Sequence, residues 1–181
     1  MFLRLDNMYD DMGRHVVCAE DLENGQVAKI KGLASGAEDG DIVRKASVDL
    51  GGQAFEVEKA TDVQGAKYVL IANDNHRYEN GLNYNVGDCP TTEKGTVVRA
   101  YILGGGQTAT VEEAVIDGSV AVGDYLTVKA NSYKFTKGTA KTIALNSGKD
   151  AVVVSGNENL VALVLEKVTL YGKSMVKLMF L

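Results

Sequence analysis

The sequence predicts an all-β fold, an antiparallel β-barrel or sandwich of short strands with at most one or two short helical turns. Three observations predict it. Extended segments of about five to eight residues recur along the chain, each bounded by turn residues. Glycine is abundant, with 20 copies against 1 proline in 181 residues, and so many glycines imply many turns. The stretch Ser119–Lys137 then reads as a β-hairpin: Tyr125, Thr127 and Lys129 share one face of an extended segment and Leu126 and Val128 the other. Ala130-Asn131-Ser132 interrupts it before Tyr133 and Phe135 resume. Gly123-Asp124 opens this hairpin, and Gly40-Asp41 and Gly87-Asp88 repeat the dipeptide. Glycine permits a turn with positive φ, and the aspartate carboxylate accepts a local backbone N–H.

In chain order, residues 1–19 form an N-terminal arm or edge strand, and residues 20–181 a β-rich domain that could part into two lobes within 73–95. Phe2, Leu3, Leu5, Met8 and Tyr9 alternate irregularly with Asp6, Asp10 and Asp11. That lack of period fits an arm ordered against a partner, in which case deleting residues 1–11 would leave the body folded, and fits an edge strand of the chain's own fold equally. Strands are expected from His15, at Gln26–Ile30 after the Asn24-Gly25 turn, and at Asp41–Ala46. Ala54–Lys59 follows, with Phe55 and Val57 facing a core and the glutamates facing water. Lys67–Ala72 is apolar on both faces and belongs in a more central position. Residues 73–94 make a long polar loop holding the single proline, Pro90, and loops of that size serve as working surfaces or joins. Gly95–Leu103 is a strong strand halted by Gly104-Gly105-Gly106. Thr110-Val111-Glu112-Glu113 matches a capping box and predicts a single helical turn ended by Gly118. Beyond the hairpin, 139–145 and 151–154 are strands. Leu160–Val168 turns at Tyr171-Gly172-Lys173 into Ser174–Leu181, and its large side chains on both faces place it mid-sheet. Met179, Phe180 and Leu181 need something to pack on, and a neighbouring subunit could supply it.

The chemistry is sparse. The net charge is −5, and the 19 Lys and Arg are scattered singly, which argues against a nucleic-acid surface. No run approaches the roughly 18 apolar residues of a membrane helix, and the carboxylates near the start argue against a signal peptide, so a soluble product made in a cytoplasm is expected. Cys18 and Cys89 lack the paired spacing of a metal site or disulfide framework. His15 begins a strand. His76, Arg77 and Tyr78 lie in the polar loop, where they could contact a ligand or partner. No serine stands in a G-x-S-x-G elbow, and no lysine follows Gly104-Gly105-Gly106 as a phosphate loop requires. Neither Glu38-Asp39-Gly40-Asp41 nor Asp6, Asp10 and Asp11 matches a calcium loop. No catalytic residue, metal or cofactor is expected, and the chain does not read as an enzyme.

Asp6-Asn7-Met8-Tyr9, the run Cys18–Val27, Val122-Gly123-Asp124-Tyr125 and the closing strand pair Leu160–Leu181 together resemble the capsid decoration (cement, or auxiliary head) proteins of tailed bacteriophages. The resemblance implies a small, inert β-rich structural protein of the virion. It would be made in the bacterial host cytoplasm and bind the outer capsid surface, where it stabilises contacts between major capsid subunits. It implies self-association, with a trimer favoured, and no nucleic-acid or membrane partner. Phe2, Leu3, Leu5, Met8 and Tyr9, with Met179, Phe180 and Leu181, are then the capsid or subunit contacts. The alternative is a head-fibre or receptor- or glycan-binding β module that uses the 73–94 loop through His76, Arg77 and Tyr78. An enzyme site assembled from scattered carboxylates is a third class.

Overall fold

The computed structural model describes residues 3–8, 13–34, 54–61, 66–72, 78–79, 82–83, 93–138, 141–144, 150–153, 160–170 and 172–181. Its first eight strands are β1 (Leu3–Asn7), β2 (Gly13–Cys18), β3 (Val27–Leu33), β4 (Ala54–Glu58), β5 (Tyr68–Ile71), β6 (Tyr78–Glu79), β7 (Leu82–Asn83) and β8 (Val97–Ile102). The remainder are β9 (Thr108–Glu112), β10 (Ile116–Asp117), β11 (Tyr125–Val128), β12 (Phe135–Lys137), β13 (Lys141–Ala144), β14 (Asp150–Val153), β15 (Ala162–Leu170) and β16 (Lys173–Phe180). The fold is all-β, as the glycine-punctuated pattern predicts.

Strands β2, β4, β3, β5 and β8 close into a barrel in that order. A second body is a seven-stranded sheet, β1-β9-β16-β15-β11-β12-β10, and β6-β7 and β13-β14 form separate ribbons. Most neighbours run antiparallel, but β2 pairs β4 in parallel and β10 pairs β12 in parallel. Apart from β1, the chain builds the barrel before the sheet, and it crosses from one to the other between Ile102 and Thr108.

Alternation along the barrel strands explains how the two bodies join. Val69 and Ile71 lie among the barrel's interior side chains with Val16, Cys18, Leu22, Ala28, Val57, Val98 and Ala100. Tyr68 and Leu70, on the opposite face of the same strand, join a second cluster with the sheet residues Val111, Leu126, Phe135, Val164, Val176, Leu178 and Phe180. All four residues of β5 are therefore buried, which accounts for a strand apolar on both faces. Val27 and Ala28 divide in the same way, one toward the sheet and one into the barrel. Full burial of each large aliphatic side chain contributes about 1.5–3 kcal/mol, so this shared layer is a main source of stability.

Two sequence expectations are corrected. The capping box at Thr110–Glu113 does not form: Thr110 lies within β9, and the residue flanking the 3-10 turn Glu113–Val115 is Glu112, in extended backbone with no side-chain cap. The Thr110 hydroxyl has a better use, because it donates to Asp6 Oδ2 at 2.6 Å and accepts from Arg4 Nη2 at 3.3 Å. The second correction concerns Phe180, assigned to a subunit contact. It is fully buried in the chain's own core, with its ring centroid 6.5 Å from that of Phe135.

Candidate functional site

The tip of the β11-β12 hairpin is where the barrel and sheet are tied. Asn131 takes φ of 56°, a left-handed conformation that asparagine tolerates better than most residues, and it turns the chain so that Ser132 and Tyr133 leave the sheet. Ser132 then forms an isolated antiparallel bridge with Ala60. The Ala60 N–H donates to the Ser132 carbonyl at 2.9 Å, the Asn131 N–H to the Ala60 carbonyl at 2.9 Å, and the Val27 N–H to the Tyr133 carbonyl at 3.0 Å. These three bonds seat Tyr133 among the barrel's interior residues. Lys59 Nζ lies 6.0 Å from the Tyr133 ring centroid and 2.7 Å from Glu20 Oε1.

The crossing between barrel and sheet is fastened too. Gln107 is fully buried, and its Oε1 accepts the Gly104 N–H at 3.0 Å. The Gly106 N–H donates to the Phe180 carbonyl at 2.9 Å, and the Phe180 N–H to the Gln107 carbonyl at 2.8 Å. The three glycines thus make a turn bonded to the C-terminal strand.

Electrostatics around these elements is local. Burial pushes the Cys18 thiol up to about 12. Burial, followed by the charges of Glu20, Cys18 and Glu58, pushes the Tyr133 phenol up to about 12. At the hairpin's opening turn the Asp124 carboxylate is held below its usual value by Lys137 and then by the Ala121 N–H, which reaches Asp124 Oδ2 at 2.8 Å. Gly123, at φ of 89°, completes the Gly-Asp turn that the sequence predicts. On the barrel surface Lys29 pairs with Glu58 at 2.9 Å and Lys31 with Glu56 at 3.0 Å. Such exposed pairs contribute little each, but they hold the long side chains of β3 against those of β4. Among the described residues no group of three or more His, Cys, Asp or Glu is arranged to hold a metal ion, and no helix is long and apolar enough to cross a membrane.

The sequence-selected contact residues fall in different places. Leu3, Leu5 and Met8 are partly buried against the shared core. Met179 is half-buried on β16, and Leu181 is exposed. Phe2, Tyr9, His76 and Arg77 lie outside the described residues, and Tyr78 is described only as backbone, paired with Asn83 in the β6-β7 ribbon. Three large apolar residues outside those contacts are also exposed: Leu33 at 55 %, Val122 and Leu165. Val122 is 62 % exposed and Leu165 37 %, beside a Leu181 that is 47 % exposed. Val122 and Leu165 each adjoin in the chain one partner of a backbone hydrogen bond, from the Gly123 N–H to the Val164 carbonyl at 2.9 Å. Leu165 faces outward because the β15-β16 register shifts between Val164 and Glu166, and a bulge of that kind leaves no trace in an apolar run. Compared with protein-family models, with curated proteins and with solved structures, the chain finds no match.

Proposed function

We propose that the chain is a structural virion protein that binds the outer surface of an assembled bacteriophage capsid and stabilises contacts between major capsid subunits. What supports the reading is a braced β body, barrel on sheet, that displays Val122 and Leu165 to solvent beside one rigid turn. Exposed large apolar side chains on a fixed scaffold favour contact with another protein surface. The net charge of −5 suits an exterior position better than one against packaged DNA. In this reading the partner is the major capsid protein, the chain self-associates as trimers at local three-fold positions, and Val122 and Leu165 join the contact. Binding only to the assembled shell would lower that shell's free energy by mass action, and trimers would add avidity.

The test mixes purified protein with assembled capsids lacking it and measures co-sedimentation. Stoichiometric, saturable binding with a raised shell melting temperature is expected, and Val122→Asp with Leu165→Asp should weaken it at least tenfold. Absence of binding to capsids would remove the reading. A second reading, a receptor- or glycan-binding module, is favoured by the small β6-β7 ribbon within residues 73–94. It predicts retention on host cells or immobilised glycans, lost when Tyr78 is replaced by alanine.

A further inference from the structure

We infer that β1 pairs edge to edge with β1 of a second copy of this chain, antiparallel, about a two-fold axis at Leu5. The proposal stands apart from the capsid reading and needs nothing from it. Strand β1 ends the seven-stranded sheet: it pairs β9 on one side, and no described strand pairs its other side. A terminal strand presents a row of backbone N–H and C=O groups that another strand can complete.

The order of charges along β1 selects the occupant. In an antiparallel pairing centred on Leu5, Arg4 of each copy stands opposite Asp6 of the other, Leu3 stands opposite Asn7, and Leu5 meets its own counterpart. Opposite charges directly across two strands attract, and like charges there repel. A parallel, in-register pairing would set Arg4 against Arg4 and Asp6 against Asp6. Charges on an edge strand ordinarily discourage unrelated strands. Here their order makes the edge complementary to itself, so the same two residues act against other partners and in favour of this one.

The local geometry is prepared for it. Arg4 Nε already lies 2.6 Å from Asp6 Oδ1, so the two charged groups occupy one place, and the Arg4 side chain is 49 % exposed. Asp6 is fixed from below by the Thr110 hydroxyl at 2.6 Å. A two-fold mate adds one guanidinium and one carboxylate, closing the pair into an alternating group of four. On the other face Leu3 and Leu5 are only partly buried against the core, and a second Leu5 beside them extends that apolar layer across the axis. The β1-β9 register shifts between Leu5 and Asn7, so each copy's regular Leu3–Leu5 meets the other's shifted Leu5–Asn7, and the Arg4 and Asp6 side chains carry the contact on either side of the Leu5 pair.

The mass of the full-length chain in solution tests this. Light scattering should give an even number of copies: two, or six where a three-fold contact forms as well. Arg4→Asp presents two carboxylates and Asp6→Lys two cations, so each alone should halve that mass. An equimolar mixture should restore it as a hetero-pair. A wild-type mass of one or three copies, or either variant keeping the wild-type mass, overturns the proposal. Hydrogen exchange on the wild-type chain gives a readout free of substitutions. Outward amides of Leu3–Asn7 should exchange more slowly as concentration rises, and exchange independent of concentration refutes the pairing. Protection of these amides only on adding capsids refutes it too, and assigns the edge to a shell strand.

Discussion

At Gly25 the chain turns in left-handed backbone beside the sheet residue Val111. The glycine φ is +83°, and a Cβ built there would stand 3.4 Å from both Cβ and Cγ1 of Val111 on β9. Gly95 has nearly the same backbone, φ +80°, but opens onto empty space. Alanine at either position meets the left-handed penalty of about 1–2 kcal/mol, and at Gly25 the added Cβ would rest in ordinary van der Waals contact with Val111. Urea unfolding should therefore show a loss for Gly25→Ala no larger than that for Gly95→Ala, and a clearly larger one would mean that the seam at Val111 has no room for a methyl group. Cys18 and Tyr133 set a different limit at this scale. The folded chain keeps the Cys18 proton up to about 12, whereas an unfolded thiol releases it from its ordinary 9.0, so the folded state binds more protons as pH rises between the two values. Stability must then fall with pH across that window and stay level with respect to this group below it. Cys18→Ala should move the onset of alkaline destabilisation upward, from about 9 toward the ordinary tyrosine value of 10.0, where Tyr133 takes over. Melting temperatures recorded from pH 8 to 11 check this, and identical profiles for the two proteins would exclude it.

The decisive element is the β11-β12 hairpin, which belongs to the sheet by its strands and to the barrel by its tip. Tyr133→Ala removes an aromatic group from the barrel interior, a change that costs about 3–5 kcal/mol when the site cannot collapse. The loss should be visible locally, since the amides of Val27 and Ala60 donate to Tyr133 and Ser132. Hydrogen exchange at those two amides should accelerate more than at Leu178 in mid-sheet, and uniform acceleration would show that the tip is not a separate brace. The hairpin itself is legible in the sequence, because Leu126 and Val128 alternate with Tyr125 and Thr127 and because Gly123-Asp124 marks its start. Its destination is not legible, since nothing near Asn131 points to Ala60, a distant residue of unremarkable type. The same limit explains Thr110: the local text S/T-x-x-E fits a cap, but the partners that decide its conformation, Asp6 and Arg4, lie more than 100 positions away. Period reveals which face of a strand is buried. Which strand lies alongside, and whether it runs parallel as β4 does with β2, is set by long-range closure that periodicity does not encode.

For the whole molecule the question is whether barrel and sheet are one folding unit or two. The barrel closes its own hydrogen-bond circuit through β2 and β8, and a closed barrel leaves no edge that needs a neighbour. On backbone grounds alone it could stand by itself. Side chains argue the other way. Val27, Ala60, Tyr68 and Leu70 face the sheet and share one continuous cluster with it, and the barrel's interior includes Tyr133 from the sheet's hairpin. A fragment of residues 13–102 would expose the first group to water and leave a gap where Tyr133 sits. Because a domain's net stability is only about 5–15 kcal/mol, losing several large buried side chains from the interface, each contributing about 1.5–3 kcal/mol, is enough to unfold it. The fragment is therefore expected to lack cooperative unfolding, and the full chain to melt in one transition whose calorimetric and van't Hoff enthalpies agree. Two resolved transitions in the full chain, or a fragment with a sharp melt of its own, would show that the shared core is a docking surface between independent domains rather than a common interior.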